Sequence, residues 1–140
     1  MPTQMFLNLS VKDLDKSVAF FKSLGFAFNP QFTNDSGACM VVSENHSYVM
    51  LLTEKFFTTF TPYPVSDAKN TTEVLIALSQ DSREAVANMV RKAVAAGATT
   101  PTEPKDHGFM VQHGFQDLDG HMWEVFWMDT SAVPGAAPAA

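Results

Sequence analysis

The sequence is poor in the residues that several classes of protein require. A single cysteine, Cys39, excludes an internal disulfide framework and any cysteine-rich zinc site. Only 9 lysines and arginines stand against 15 acidic residues, so the chain lacks the basic face that nucleic acid or an anionic membrane would attract. No apolar run reaches the roughly 20 residues of a membrane helix, and the start lacks the basic region of a signal peptide. We therefore expect a cytoplasmic protein without nucleic-acid or membrane partners.

The chain is long and apolar enough to fold around a core of its own. It has 140 residues, of which 46% are hydrophobic and 17% are charged. This balance indicates one globular domain rather than a disordered chain. The common catalytic signatures are missing, namely HExxH, a glycine-rich phosphate loop, a nucleophile elbow and CxxC. Any chemistry must therefore come from side chains that the fold brings together.

The hydrophobic pattern indicates one unit that occurs twice. Each half reads as a strand, an acid-capped helix that ends at a glycine (Gly25 or Gly97), and further strands. Strands are predicted at 5–11, 26–32, 37–43, 47–53, 73–79, 109–116 and 121–128, with helices at about 13–24 and 81–96. The predicted caps are Asp13 and Asp81. A hairpin turn is predicted at Asp117 to Gly120.

We therefore predict an α+β fold of two tandem βαβββ modules that form a curved mixed sheet around a groove. Module one covers 5–53 and module two covers 73–129, within a single domain of residues 1–130. A linker at 54–72 joins them, and the Ala/Pro tail 131–140 is expected to be disordered. The linker carries Phe56, Phe57, Phe60 and Tyr63, which would form either a lid over a ligand or a packing surface for the core or a second subunit.

Glu124 is the most unusual residue of the chain. It interrupts the apolar strand Met122 to Met128, where a buried charge without a partner is costly. It would serve as a metal ligand, a general base or an acceptor for a ligand, or else as a solvated or paired surface carboxylate. His113 lies across the predicted hairpin, and an even-length loop would place both side chains on one face. Glu124 and His113 are the candidate catalytic pair, with a structural pair as the alternative.

Strand alternation assigns the two faces of this hairpin. Trp123, Val125 and Trp127 would face the helix, which places Glu124 with Met122 and Phe126 on the side of the groove. His113 and Phe115 are expected on that side too. Gln112 and Gln116 would then face the helix, and their polarity is the one signal that points the other way. His107, in the loop before the strand, is a weaker candidate at the groove rim, with a solvated loop histidine as the alternative.

Two segments carry a family resemblance. "FLNLSVKDLDKSVAFFKSLGF" resembles the first strand and helix of the vicinal-oxygen-chelate superfamily. "FQDLDGHMWEVFW" resembles the last hairpin of that family, with its D-x-DG turn and a glutamate four residues after the glycine. The superfamily includes glyoxalase I, bleomycin-resistance proteins and extradiol dioxygenases. The likeness covers about residues 5–129 and is greatest to the bacterial glyoxalase-like members.

The resemblance implies positions for a metal site, and this chain fills only one of them with a ligand. The metalloenzymes of the family take ligands from the first and last strands of each module. The corresponding residues here are Phe6, Leu51, Leu75 and Glu124. Three of the four are apolar, so a divalent metal is not favoured. It would need either a shift of one or two residues in this correspondence, towards Asn8, Glu73 and His113, or a rebuilt site on Glu124 with His113. No other cofactor is indicated.

We expect the groove to bind a small, partly apolar molecule. Its predicted lining is Phe6, Asn8, Leu51, Leu75, His113, Phe115, Glu124 and Phe126, an aromatic wall with a few polar anchors. The first hypothesis is a binding protein that sequesters this molecule, as resemblance to the bleomycin-resistance branch implies. The second is a metal-dependent lyase or dioxygenase that uses Glu124 and His113. The third is a non-catalytic dimerisation module with a closed groove. A homodimer is expected in each case.

Overall fold

The computed structural model describes residues 2–132, which form two compact units. The first unit extends to Asp67 and the second begins at Ala68. Of the tail that was predicted to be disordered, residues 131 and 132 belong to a short 3₁₀ turn, Thr130–Ala132, and 133–140 lie outside the described residues. Within the described residues, no helix combines the length and the apolar character that a membrane span requires.

The first unit is a four-stranded mixed sheet with one long helix. Its elements are β1 (Met5–Val11), α1 (Leu14–Ser23), β2 (Ala27–Asn29), β3 (Gly37–Ser43), β4 (Ser47–Thr53) and the short α2 (Glu54–Phe57). The strand order is β1-β4-β3-β2, with β1 parallel to β4 and the other pairs antiparallel.

The second unit repeats this topology. Its elements are β5 (Leu75–Ser79), α3 (Arg83–Ala95), β6 (Lys105–Asp106), β7 (Met110–Gln116) and β8 (Met122–Met128). The strand order is β5-β8-β7-β6, again with the first pair parallel and the others antiparallel. The predicted tandem βαβββ architecture is confirmed, and β6 is the short strand that the sequence pattern did not show.

Local signals placed the helices correctly. The Asp13 side chain accepts a hydrogen bond from the Lys16 backbone N–H at 3.1 Å, as an N-cap should. Gly25 and Gly97 follow the two long helices with φ angles of +104° and +113°, a left-handed conformation that favours glycine. The same stop signal therefore ends both helices, as the repeat predicted.

Three predicted details are wrong. The cap of α3 is Ser82 rather than Asp81, because the Ser82 hydroxyl accepts from the Ala85 backbone N–H at 3.0 Å. Strand β2 ends at Asn29, since Pro30 has no N–H to donate and begins a 3₁₀ turn, Pro30–Phe32. Strand β5 begins at Leu75, two residues later than predicted.

Each helix covers one face of its own sheet. Helix α1 buries Leu14, Phe20 and Phe21, and α3 buries Val86, Val90 and Ala93. In the second unit α3 packs on β7 and β8, whose Phe115, Trp123 and Val125 are at most 1% exposed. A fully buried side chain of this size stabilises the fold by about 1.5–3 kcal/mol. The opposite face of each sheet, which we call the open face, is not covered by a long helix.

Candidate functional site

The register of β7 and β8 separates the two residues that were expected to act together. His113 is opposite Val125, and Glu124 is opposite Gly114. Residues 117–121 form the connection, because the Asp117 N–H donates to the His121 carbonyl at 3.0 Å. The loop therefore has an odd number of residues, so His113 and Glu124 lie on opposite faces of the sheet. The prediction that they share a face is wrong.

The Asp117 carboxylate holds this turn in place. It is 7% exposed and accepts from the Trp123 indole N–H at 2.9 Å and from the backbone N–H groups of Asp119 and His121 at 2.9 and 3.0 Å. Burial raises the pKa of Asp117, and the charge of His121 and the donated hydrogen bonds oppose that rise only in part. The carboxylate of the D-x-DG motif thus ties the turn to the core tryptophan.

His113 faces the helix side and anchors a neighbouring segment. Its Nε2 atom lies 2.9 Å from the Thr102 carbonyl oxygen and 3.0 Å from the Thr100 hydroxyl. Because a carbonyl oxygen can only accept a hydrogen bond, the Nε2 atom must be protonated and donate to the Thr102 carbonyl oxygen. Phe115 is on the same side, 1% exposed, with its ring nearly parallel to that of Trp123. The expected place of Phe115 in a ligand-binding groove is therefore also wrong.

The open face of the second unit carries Glu124. Strand register places Leu75, Ala77, Met122 and Phe126 on this face with it, and the expected binding of a ligand by Leu75 and Phe126 stays a prediction. Gln112 and Gln116 also lie here, so their polarity was the correct signal for the register. A shallow depression of about 60 Å³ is lined by Thr102, Glu103, Lys105, Gln112, His113, Gly114, Met122 and Glu124.

His107 lies in an exposed loop and is not among the residues of that depression. Its neighbour Asp106 forms an ion pair with Arg83 at 2.9 Å, and Arg83 also donates to the Gly108 carbonyl and lies over the Trp127 ring. The Gly108 backbone N–H, helped by Arg83, holds the pKa of Asp106 below its ordinary value. This loop is therefore organised around Arg83, and the structure gives His107 the position of a solvent-facing loop residue.

In the first unit, Phe6 and Asn8 lie on the open face but Leu51 does not. Leu51 is opposite Leu9 in the parallel β1–β4 pair and is fully buried on the helix side. The open-face positions of β4 belong to Met50 and Leu52, one residue away on either side. Phe6 is 46% exposed and stacks on Tyr48 with ring centroids 4.7 Å apart. The expected ligand-binding position of Leu51 is thus wrong by one residue.

A larger cavity lies on this open face. It has a volume of about 440 Å³ and is lined by Asn8, Leu52, Phe57, Phe60 and Thr61. Sequence reasoning found Asn8 but missed Leu52 and Thr61 as lining residues, although the run of aromatic residues after β4 indicated a lid. Phe56 contacts Phe60 edge-on, with ring centroids 5.0 Å apart, and so supports it from outside the cavity. Asn8 donates through Nδ2 to the Phe6 carbonyl oxygen at 3.2 Å, which leaves its Oδ1 as an acceptor.

The side chains do not fit a resident metal ion. Residues 2–132 contain no group of three or more His, Cys, Asp or Glu side chains arranged to hold one. Glu124 stands alone at its family position, since Phe6, Leu51 and Leu75 offer no ligand atom. His113 belongs to the opposite face of the strand pair, and its Nε2 atom is engaged with the Thr102 carbonyl oxygen and the Thr100 hydroxyl rather than with Glu124.

Comparisons with known proteins identify relatives of this fold. Residues 3–43 match the family model described as "Bleomycin resistance protein-like N-terminal". The hypothetical protein SA1046 from S. aureus is 30% identical, with a TM-score of 0.76 over 91% of this chain and 95% of its own. A glyoxalase-related enzyme from Fulvimarina pelagi is 17% identical with a TM-score of 0.77, over 100% and 98% of the two chains.

A third structure adds the same fold under a broader name. The glyoxalase/bleomycin resistance protein/dioxygenase family enzyme from Burkholderia phytofirmans PsJN is 18% identical, with a TM-score of 0.74 over 88% of this chain and 96% of its own. None of the curated proteins that were compared matches the chain significantly.

Proposed function

The chain belongs to the glyoxalase/bleomycin resistance protein/dioxygenase superfamily, and from this premise we propose that it binds a small, partly apolar molecule without chemical conversion. The observation that carries the proposal is the cavity on the open face of the first unit. Its volume of about 440 Å³ lies within the roughly 300–1,000 Å³ that is usual for small-molecule sites.

The cavity wall has the composition that such a ligand requires. Leu52, Phe57 and Phe60 supply apolar surface, and Asn8 and Thr61 supply the few polar atoms that would orient a ligand. Leu52 is 2% exposed, whereas Phe60 is 68% exposed. A rigid floor therefore lies under an aromatic side chain that solvent reaches. We propose that a bound ligand buries the Phe60 ring. Residues 56–63 would then cover the ligand as the predicted lid.

Fluorescence titration with N-phenyl-1-naphthylamine tests this proposal. The probe is neutral and aromatic and carries one N–H that suits the free acceptor of Asn8. Phe57→Ala removes apolar contact worth about 1.5 kcal/mol, so the dissociation constant should rise about tenfold. Phe60→Ala should raise it about threefold to tenfold without lowering the melting temperature, because the Phe60 ring is mostly exposed.

Phe32→Ala is the matched control for these variants. Phe32 is 61% exposed in the same unit but does not line the cavity. Its replacement should leave the affinity of the probe unchanged. Equal losses in all three variants, or none in Phe57→Ala and Phe60→Ala, would contradict binding in this cavity.

The alternative functions have less support. A metal-dependent lyase or dioxygenase would need Glu124 and His113 to share one ion, and the two side chains lie on opposite faces of β7 and β8. Separate catalytic roles for these residues stay predictions, as does the cytoplasmic location. The homodimer also stays a prediction, and sedimentation velocity of the purified chain would check it.

A further inference from the structure

The open face of the second unit carries the Glu124 carboxylate, which has no cation or hydrogen-bond donor beside it among the described residues. Among residues 2–132, the Glu124 carboxylate has no hydrogen-bond or ion-pair partner, although its backbone is paired with β5 and β7. It is half-buried in the middle of β8, between Met122 and Phe126 on the same face. A half-buried carboxylate ordinarily has a cation or a hydrogen-bond donor beside it.

The residues on either side of Glu124 keep space open around its carboxylate. Ala77 is its neighbour on β5, and Gly114 is its neighbour on β7. A Cβ atom at position 114 would lie 3.8 Å from the Glu124 Cγ atom and 2.8 Å from the Trp123 carbonyl oxygen. The two smallest residue types therefore flank the acid, and the depression of about 60 Å³ has room for a few water-sized groups.

The charges of the depression favour a cation. Its titratable residues are Glu103, Lys105, His113 and Glu124. Lys105 lies on β6 opposite Gln112, so strand β7 separates it from Glu124 on β8. Its register is that of Phe126 rather than of Glu124. The His113 Nε2 atom is already engaged with Thr102 and Thr100. Apart from His113, two carboxylates stand against one ammonium group in the depression, and the whole chain carries −6.

We propose that this depression binds the primary ammonium group of a small alkylamine, with Glu124 as its counter-ion. An ammonium group donates three hydrogen bonds, and a single carboxylate can pair with it, whereas a divalent metal ion requires several oxygen ligands at once. Met122 and Phe126, on the same face, would contact the alkyl chain. The site lies in the second unit and shares no lining residue with the cavity of the first unit.

NMR titration of the whole chain with three probes of equal length tests the proposal. The probes are n-pentylammonium, n-pentanol and pentanoate at neutral pH, and the signals followed are the backbone amides of Gly114 and Glu124. Because a hydrogen bond to a charged partner is stronger than one between neutral groups, n-pentylammonium should bind about tenfold more tightly than n-pentanol. Pentanoate should not shift these signals.

Two variants with the same change in charge separate the site from a general field effect. Glu124→Gln should weaken n-pentylammonium about tenfold and leave n-pentanol unchanged. Glu84→Gln, in the exposed first turn of α3 on the other side of the sheet, should leave both unchanged. Melting temperatures of both variants would show that they remain folded.

Three results would overturn the proposal. The first is equal affinity for all three probes, and the second is unchanged binding of n-pentylammonium by Glu124→Gln. The third is stoichiometric binding of Mn²⁺ that broadens the Glu124 and Gly114 signals and displaces n-pentylammonium. That last outcome would assign the carboxylate to a metal ion instead.

Discussion

Replacing Asp117 by alanine removes the carboxylate that joins the β7–β8 turn to the core. The fully buried Trp123 loses the acceptor of its indole N–H, which costs about 1–3 kcal/mol. The backbone N–H groups of Asp119 and His121 lose theirs at about 0.5–1.5 kcal/mol each, since water can partly replace the carboxylate. The total loss is about 2–6 kcal/mol in the free energy of unfolding. At about 4 °C per kcal/mol for a domain of this size, the melting temperature should fall by about 8–24 °C.

Differential scanning calorimetry measures this loss, and the indole N–H signal of Trp123 reports its cause. That signal should move and exchange faster with solvent in Asp117→Ala. Asp35→Ala is the control, because Asp35 is exposed in the first unit, and it should change the free energy of unfolding by less than about 0.5 kcal/mol. A melting temperature of Asp117→Ala within about 3 °C of the wild type would refute the reasoning.

The raised pKa of Asp117 adds a dependence on pH to the same prediction. A carboxyl whose pKa is higher in the folded chain than in the unfolded chain favours folding when it is protonated. This contribution is complete below the ordinary pKa of aspartate and is lost as the pH rises through the raised pKa of the folded state. Asparagine does not titrate, so the wild type should gain stability relative to Asp117→Asn as the pH is lowered from 8 towards 4. A difference that shrinks over this range would contradict the direction of the shift.

Three further predictions concern stability. Ser82→Ala should cost about 1 kcal/mol through the lost cap of α3, whereas Asp81→Ala should cost less than about 0.5 kcal/mol, and equal losses in chemical denaturation would contradict the Ser82 cap. His113→Ala should cost about 1–3 kcal/mol in the free energy of unfolding, because the hydrogen bonds of the imidazole to the Thr102 carbonyl and the Thr100 hydroxyl are lost. The affinity for N-phenyl-1-naphthylamine should stay unchanged. Weaker binding of the probe would instead indicate a role in the ligand site. Gly114→Ala should cost about 1–3 kcal/mol because its Cβ would lie 2.8 Å from the Trp123 carbonyl oxygen, and an unchanged melting temperature would show that the strands can move apart there.

Relatives of known structure support the fold and leave the ligand open. Many families use one architecture for different reactions, so the fold alone cannot assign a substrate. In this chain the two candidate sites differ in chemistry, since Phe57 and Phe60 line an apolar cavity and Glu124 lies in a polar depression. The probe experiments address them separately, and each can fail without the other.

Much of the fold follows from the sequence, because its signals are local. The bounds of β1, β3 and β4 are those that alternation predicted, and both long helices lie between a polar cap and a glycine. The repeated order of these elements was enough to predict two modules of equal topology. Where a local signal was ambiguous, as between Asp81 and Ser82, the boundary was wrong by one residue.

The membership of the sites was decided by tertiary structure. Side chains of a strand alternate with a period of two, so a shift of one residue in pairing moves every side chain to the other face. The odd loop after Asp117 therefore took His113 and Phe115 away from Glu124, and the parallel register of β1 and β4 placed Leu52 rather than Leu51 on the open face. For β7 the polarity of Gln112 and Gln116 was the one sequence signal for the observed face. The β1–β4 register is not visible in alternation alone, because it depends on which hydrogen bonds form between distant residues.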